Sequence, residues 1–167
     1  CWPPDVAAGS GTTVSQNRLL EALRLAGQDG ELIYTSSFAS SAAGLAAREE
    51  ANRAFGERVA PYDAVLGIDG EGWHWAAGPR DKPFVAFCEA VLAEVLPFES
   101  GSVRGVLAKQ AEWEAAAAHA ADAVVARSEF SAGRVAQHYG IAPDRVTVLP
   151  IPFDVEAWRA ALPTVPK

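Results

Sequence analysis

The segment Asp122–Asp154, DAVVARSEFSAGRVAQHYGIAPDRVTVLPIPFD, leaves the chain little choice of fold. Ala123–Arg127 is a short, mostly apolar run, as expected of a strand covered on both faces. Ser128 stands where a hydroxyl can accept from the free N–H groups of a helix start. Glu129 then matches the positive end of the helix dipole. Ala132, Val135, Ala136 and Tyr139 recur at i, i+3, i+4 and i+7, which predicts one buried helical face, and Gly140 can close the helix in a left-handed conformation. Arg145–Leu149 reads as the next strand, ended by Pro150. A strand, a crossover helix and a strand make a βαβ unit, and such a unit pairs its strands in parallel.

The same alternation runs through most of the chain. Thr13-x-x-Gln16 reads as a capping box, followed by the stripe Leu19, Ala22, Leu23 and Ala26 and a stop at Gly27. Strands are expected at Glu31–Ser36, Asp63–Ile68 and Pro83–Cys88. Leu45–Val59 is expected to be one helix, with Glu49 and Arg53 paired at i,i+4. Asp69–Ala77 reads as a loop or short helix, and Glu89–Gly101 as less regular chain. Ser102–Ala121 is a long helix with Val103, Val106, Leu107, Trp113, Ala117 and Ala120 expected inward, and Val155–Leu162 is a last short helix. Glu94, Glu99, Glu112 and Glu114 are expected on solvated faces, and Trp113 and Trp158 in packing roles. The fold class is therefore α/β, a Rossmann-like and mostly parallel sheet with helices on both faces. A glycine-rich loop normally follows a first strand. Only Cys1–Ala8, with two prolines, precede Gly9, so the expectation is a domain lacking its first strand.

Composition excludes several function classes. The 167 residues suit one domain with a full core. A net charge of −7 argues against nucleic acid as a partner and against strong attraction to anionic lipid. No run approaches the roughly 18 apolar residues that cross a bilayer. Cys1 and Cys88 form neither a disulfide framework nor a metal motif, and with three dispersed histidines no metal site is expected. A reducing cytoplasm is the expected compartment, and Cys88 reads as a small buried hydrophobe.

Three places could carry chemistry. Gly9, Ser10 and Gly11 form a loop whose backbone can approach a phosphate closely at a helix start. On local grounds it is equally an ordinary strand-to-helix turn. Asp69, Glu71, Trp73 and His74 lie just past a strand's carboxyl end, where ligands of open α/β sheets bind. Rings stack on the apolar faces of a sugar and carboxylates accept from its hydroxyls. Trp73 as packing and His74 as a surface group is the plainer alternative. Glu89 ends the strand Pro83–Cys88 and could accept from hydroxyls, or simply favour a helix start.

Taken together, Ser128-Glu129-Phe130-Ser131, Tyr139-Gly140, Pro143-Asp144-Arg145-Val146, Leu149-Pro150 and Asp154 resemble the end of the N-terminal domain of a GT-B-fold glycosyltransferase, closest to the retaining family 4. Trp2-Pro3-Pro4 is similar to a segment that follows the first strand in that family. Ile151-Pro152-Phe153 departs from it, standing where Asn-Gly-Val is commonest. The resemblance implies transfer of a sugar from a nucleoside-diphosphate sugar to a carbohydrate, lipid-linked or small-molecule hydroxyl, with retention and without a metal or other cofactor. It implies an acceptor-side domain over residues 1–154, an exit helix and linker over 155–167, and a C-terminal domain as partner that supplies most donor contacts. Gly9, Ser10, Gly11, Asp69, Trp73, His74, Glu89 and Ser128 would line the cleft. Glu89 takes the place of a histidine common in relatives, and is the candidate catalytic residue in a chain expected to be inert by itself. Peripheral contact with a membrane stays open.

Two rivals remain at this level. A dinucleotide-dependent oxidoreductase would want a third glycine where Val14 stands and an acid after the strand that ends in Ser36-Ser37. A sugar- or nucleotide-binding scaffold without activity would tolerate Glu89 in place of the histidine.

Overall fold

A computed structural model describes residues 11–33, 42–153 and 155–161. Four parallel strands form one sheet in the order β1-β2-β3-β4: β1 Val65–Ile68, β2 Phe84–Cys88, β3 Ala123–Ala126 and β4 Val146–Val148. Val65 lies opposite Phe84, Val85 opposite Ala123 and Val124 opposite Val146. The ladder continues past β4, since Leu149 donates its N–H to Ala126 O at 2.8 Å. The helices are α1 Gly11–Leu25, α2 Ala42–Arg53, α3 Phe55–Val59, α4 Trp73–Ala76, α5 Leu92–Val95, α6 Gly101–Ala120, α7 Glu129–Tyr139 and α8 Val155–Ala161. Two 3-10 turns, Leu96–Phe98 and Pro143–Arg145, complete the described elements.

Side chains alternate across the strands, so the sheet has two apolar faces. Phe84, Ala86 and Cys88 of β2 and Val124 of β3 pack on Phe55 and Val59 of α3, Ala117 and Ala118 of α6, and Val135 and Tyr139 of α7. Ile68, Phe87 and Val125 point the other way and meet Leu19 of α1. Phe84 and Phe87 are the largest fully buried apolar residues. Each contributes about 1.5–3 kcal/mol through removal from water.

The βαβ unit forms as its sequence requires. Ser128 accepts the Ser131 N–H at 3.1 Å, and Gly140, at φ 66°, donates its N–H to Ala136 O. Val135 and Tyr139 are buried, flanked by half-buried Ala132 and Ala136.

Several expectations are corrected. The helix α1 already runs through Gly11, so Thr13 and Gln16 lie inside it and make no capping box; Gln16 is buried instead. Leu45–Val59 is two helices, broken at Ala54. Glu31–Ile33 are not in a strand, and Tyr34–Ser36 lie outside the described residues. Val103 is exposed, because the first turn of α6 precedes its buried stretch, which starts at Val106. Glu114 is not solvated but 1% exposed, on the stripe of Val106, Gln110, Trp113 and Ala117. Trp158 is half exposed and meets Phe153 with ring centres 5.8 Å apart. Among the described residues no helix is long and apolar enough to cross a membrane.

Candidate functional site

Parallel strands deliver their carboxyl ends to one edge of the sheet, and the polar residues that follow them converge there. After β1 the chain reverses through Asp69 at φ 49°, Gly70 at φ 85° and Gly72 at φ 84°. The reversal is tight: a Cβ on Gly67 would lie 2.0 Å from Glu71 O, and one on Gly70 would lie 2.8 Å from the Glu114 backbone nitrogen. Helix α2 holds the turn from outside. Arg48 forms an ion pair with Glu71 and donates from Nη2 to Asp69 O at 3.0 Å. Asn52, fully buried, donates from Nδ2 to Glu71 Oε2 at 2.9 Å and accepts the Gly72 N–H at 2.6 Å. These contacts fix a backbone that would otherwise be strained at the non-glycine Asp69.

Asp69 is thereby turned toward β2, and its Oδ1 accepts the Glu89 N–H at 2.9 Å. Burial pushes the Asp69 carboxyl up to about 7, with the negative charges of Glu114 and Glu89 adding to the effect. Glu114 is raised as well, chiefly by burial. Its Oε2 accepts from the Leu92 N–H at 2.7 Å and from the Tyr139 hydroxyl, while Oε1 meets no hydrogen-bond donor at full geometry among the described residues. The neighbouring Cys88 thiol is pushed up by the same burial, so it stays protonated and packs as a small hydrophobe.

Glu89 meets two elements at once. Ser15 of α1 donates from Oγ to Glu89 Oε1 at 2.6 Å, and Arg127, which follows β3, forms an ion pair with that same oxygen. Arg127 Nη2 also donates to Ser15 Oγ. The guanidinium carbon stands 4.2 Å from the centre of the Phe87 ring, a stacking that fixes its plane. The side chains of Arg127 and Glu89 are only 10% and 12% exposed. Arg127 Nη1 and Gln16 Nε2 are buried donors without an acceptor among the described residues.

The residues singled out from the sequence divide into three groups. Asp69 and Glu89 come together, with Ser128 next in chain to Arg127 and capping α7. Trp73 and His74 sit on α4, on the α6 side of the sheet rather than beside α1. Trp73 stacks on Trp113 with ring centres 5.9 Å apart and planes 5° from parallel, and His74 is exposed against the edge of Trp73. Gly11 opens the described part of α1 in open space, and Gly9 and Ser10 lie outside the described residues.

Sequence reasoning missed Ser15, Gln16, Arg127, Arg48, Asn52 and Glu114. Two left a signal: Arg127 is a lone charge closing an apolar strand, and Glu114 falls within the apolar stripe of α6. A groove of about 560 Å³ beside β1, lined by Leu19, Leu23, Ile33, Phe55, Val65 and others, contains none of Ser15, Glu89 or Arg127. Among the described residues no group of three or more His, Cys, Asp or Glu is placed to hold a metal ion.

Chemically the edge offers fixed donors, a carboxylate acceptor in Glu89 and a carboxyl, Asp69, able to donate or accept near neutrality. Residues 15–157 match the family model described as Glycosyltransferase Family 4. No curated protein matches the chain.

Proposed function

The chain belongs to glycosyltransferase family 4, and from that premise we propose that it is the acceptor-side, N-terminal domain of a GT-B-fold enzyme. That enzyme moves a sugar from a nucleoside-diphosphate sugar to an acceptor hydroxyl with retention, in the cytoplasm. Residues 1–154 form the domain, and 155–167 the exit toward a C-terminal domain that binds most of the donor. The observation that carries the reading is the meeting of Asp69, Glu89, Ser15 and Arg127 at the carboxyl ends of β1, β2 and β3. That is where a parallel α/β sheet binds its ligand. Glu89 acts there as a hydrogen-bond acceptor for the incoming hydroxyl. Gly9, Ser10 and Gly11 approach a phosphate, and Ser128 lines the wall beyond Arg127.

A second reading has one observation in its favour. Glu89 is already engaged by Ser15 and Arg127, as in a domain that binds sugar without turning it over. The test is release of nucleoside diphosphate by the natural full-length protein from UDP- and GDP-sugars, with glycoside acceptors and product analysis. Sugar transfer supports the enzyme, and binding without release supports the second reading. Transfer by residues 1–167 alone would overturn the division of labour between two domains.

A further inference from the structure

Arg127 is more constrained than an ion pair requires. One nitrogen, Nη2, serves both Ser15 Oγ and Glu89 Oε1, and the guanidinium lies on Phe87. The other, Nη1, is buried and donates to nothing among the described residues. Gln16, next in chain to Ser15 and 2% exposed, leaves Nε2 in the same condition. Both groups can only donate. Leaving them unmet costs about 1–3 kcal/mol each, more for the charged one. Two such donors, one on the arginine that meets Ser15 and one on the residue after Ser15 in the chain, lack an oxygen that the described residues do not supply.

The character of that oxygen follows from charge and from the acceptor beside it. Glu89 already cancels the charge of Arg127, and Asp69 hydrogen-bonds the Glu89 backbone with Glu114 close behind. An added anion would face this carboxylate cluster, and Arg127, the cation beside it, is already paired with Glu89. Of the two Glu89 carboxylate oxygens, Oε1 takes both the Ser15 and Arg127 contacts. The second oxygen can still accept from a donor, while Arg127 and Gln16 need acceptors. A phosphate dianion only accepts, whereas a hydroxyl does both.

We propose that Arg127, Gln16 and Glu89 form a subsite for the hydroxyls of an uncharged carbohydrate, and that the pairing of Arg127 with Glu89 selects against phosphorylated or carboxylated acceptors. This rests on the reading that the acceptor lies at the carboxyl edge of β2 and β3. Arg127 is then a specificity-determining residue, held in place by Ser15 and Phe87 before the ligand arrives.

The test is ¹⁵N–¹H NMR of the Gln16 side-chain amide and the Arg127 guanidinium in the whole 167-residue chain. The probes are methyl glucoside, galactoside and mannoside, with inorganic phosphate and glucose 6-phosphate alongside. The expected result is a saturable shift of both signals with at least one glycoside and none with phosphate. The apparent affinity falls roughly tenfold or more in Arg127→Leu and Gln16→Leu. Arg127→Lys keeps the charge against Glu89, so it reads the loss of the fork even if Arg127→Leu does not fold. Saturation by phosphate, tighter binding of glucose 6-phosphate than of glucose-type glycosides, or signals that respond to no glycoside would each overturn the subsite. Sugar transfer by the full-length protein with both signals unmoved would sink this inference and leave the enzyme reading intact. Glycoside binding without transfer would support the subsite and sink the enzyme reading.

Discussion

The carboxylate of Asp69 accepts the backbone N–H of Glu89 at 2.9 Å, so the residue that ends β1 fixes the residue that ends β2. The tie passes on, because Glu89 in turn holds Ser15 of α1 and Arg127 after β3. Three strand ends and one helix are thus joined through two acidic side chains. A change at Asp69 reaches the candidate subsite without touching it.

The Asp69 carboxyl gives the fold a pH dependence of unusual sign. Its folded value is about 7 against an ordinary 3.8, so the native state binds this proton more tightly than the unfolded chain. The resulting stability is fully present below the unfolded value and is lost as pH rises through about 7. Urea unfolding between pH 5 and pH 7 should show stability falling by roughly 1 kcal/mol per pH unit from this group. Asp69→Asn keeps an oxygen for the Glu89 N–H and should flatten that slope. Identical slopes in the two proteins would refute the assignment.

Glu114 separates the value of an acceptor from the value of a charge. Glu114→Ala strands the Leu92 N–H and the Tyr139 hydroxyl and opens a cavity, and should cost about 2–4 kcal/mol in denaturant melts. Glu114→Gln keeps an acceptor in nearly the same volume and should be close to neutral at pH 7. It should also lower the Asp69 titration toward the ordinary range, since the Glu114 charge is one cause of the Asp69 shift. An unmoved Asp69 midpoint in the Gln variant would contradict this coupling.

Two left-handed glycines should respond differently to a methyl group. Gly140, at φ 66°, has nothing within 4 Å of a built Cβ, so Gly140→Ala should cost about 1–2 kcal/mol from backbone strain alone. Gly70, at φ 85°, would also drive its Cβ to 2.8 Å from the α6 backbone at Glu114. Gly70→Ala should therefore be clearly worse than Gly140→Ala in thermal melts, and equal losses would show that α6 yields easily.

Ser128→Ala removes the oxygen that meets the Ser131 N–H at 3.1 Å and should cost about 1 kcal/mol. Ser128→Asp should restore most of it. A loss of several kcal/mol on chemical unfolding would mean that Ser128 does more than cap α7.

What the sequence made legible was local. The α7 unit could be read because a cap, a four-residue stripe and a terminal glycine all fall within one helix, and each obeys a rule of short range. Asp69 and Glu89 could be placed at strand ends because apolar runs stop at them. The site's other members could not be read that way. Ser15 meets Glu89 across 74 residues and Arg127 across 112, and no spacing rule encodes such a meeting. Glu114 was misread for a different reason. Its charge suggested solvent, but its position on α6 carries it over β2, where Tyr139 and Leu92 supply the donors that let a carboxyl be buried. The capping box failed because α1 begins before it, which only the backbone could reveal.

The sheet order β1-β2-β3-β4 repeats the order of synthesis. Among the described strands, each after β1 leaves the ribosome with its partner already made, and none is threaded between two earlier ones. Assembly can advance by accretion at one growing edge, each step closing only the loop through the helix just finished. A truncation that stops after β3 would therefore remove the last addition and leave the three strands that carry Asp69, Glu89 and Arg127 in their order of arrival.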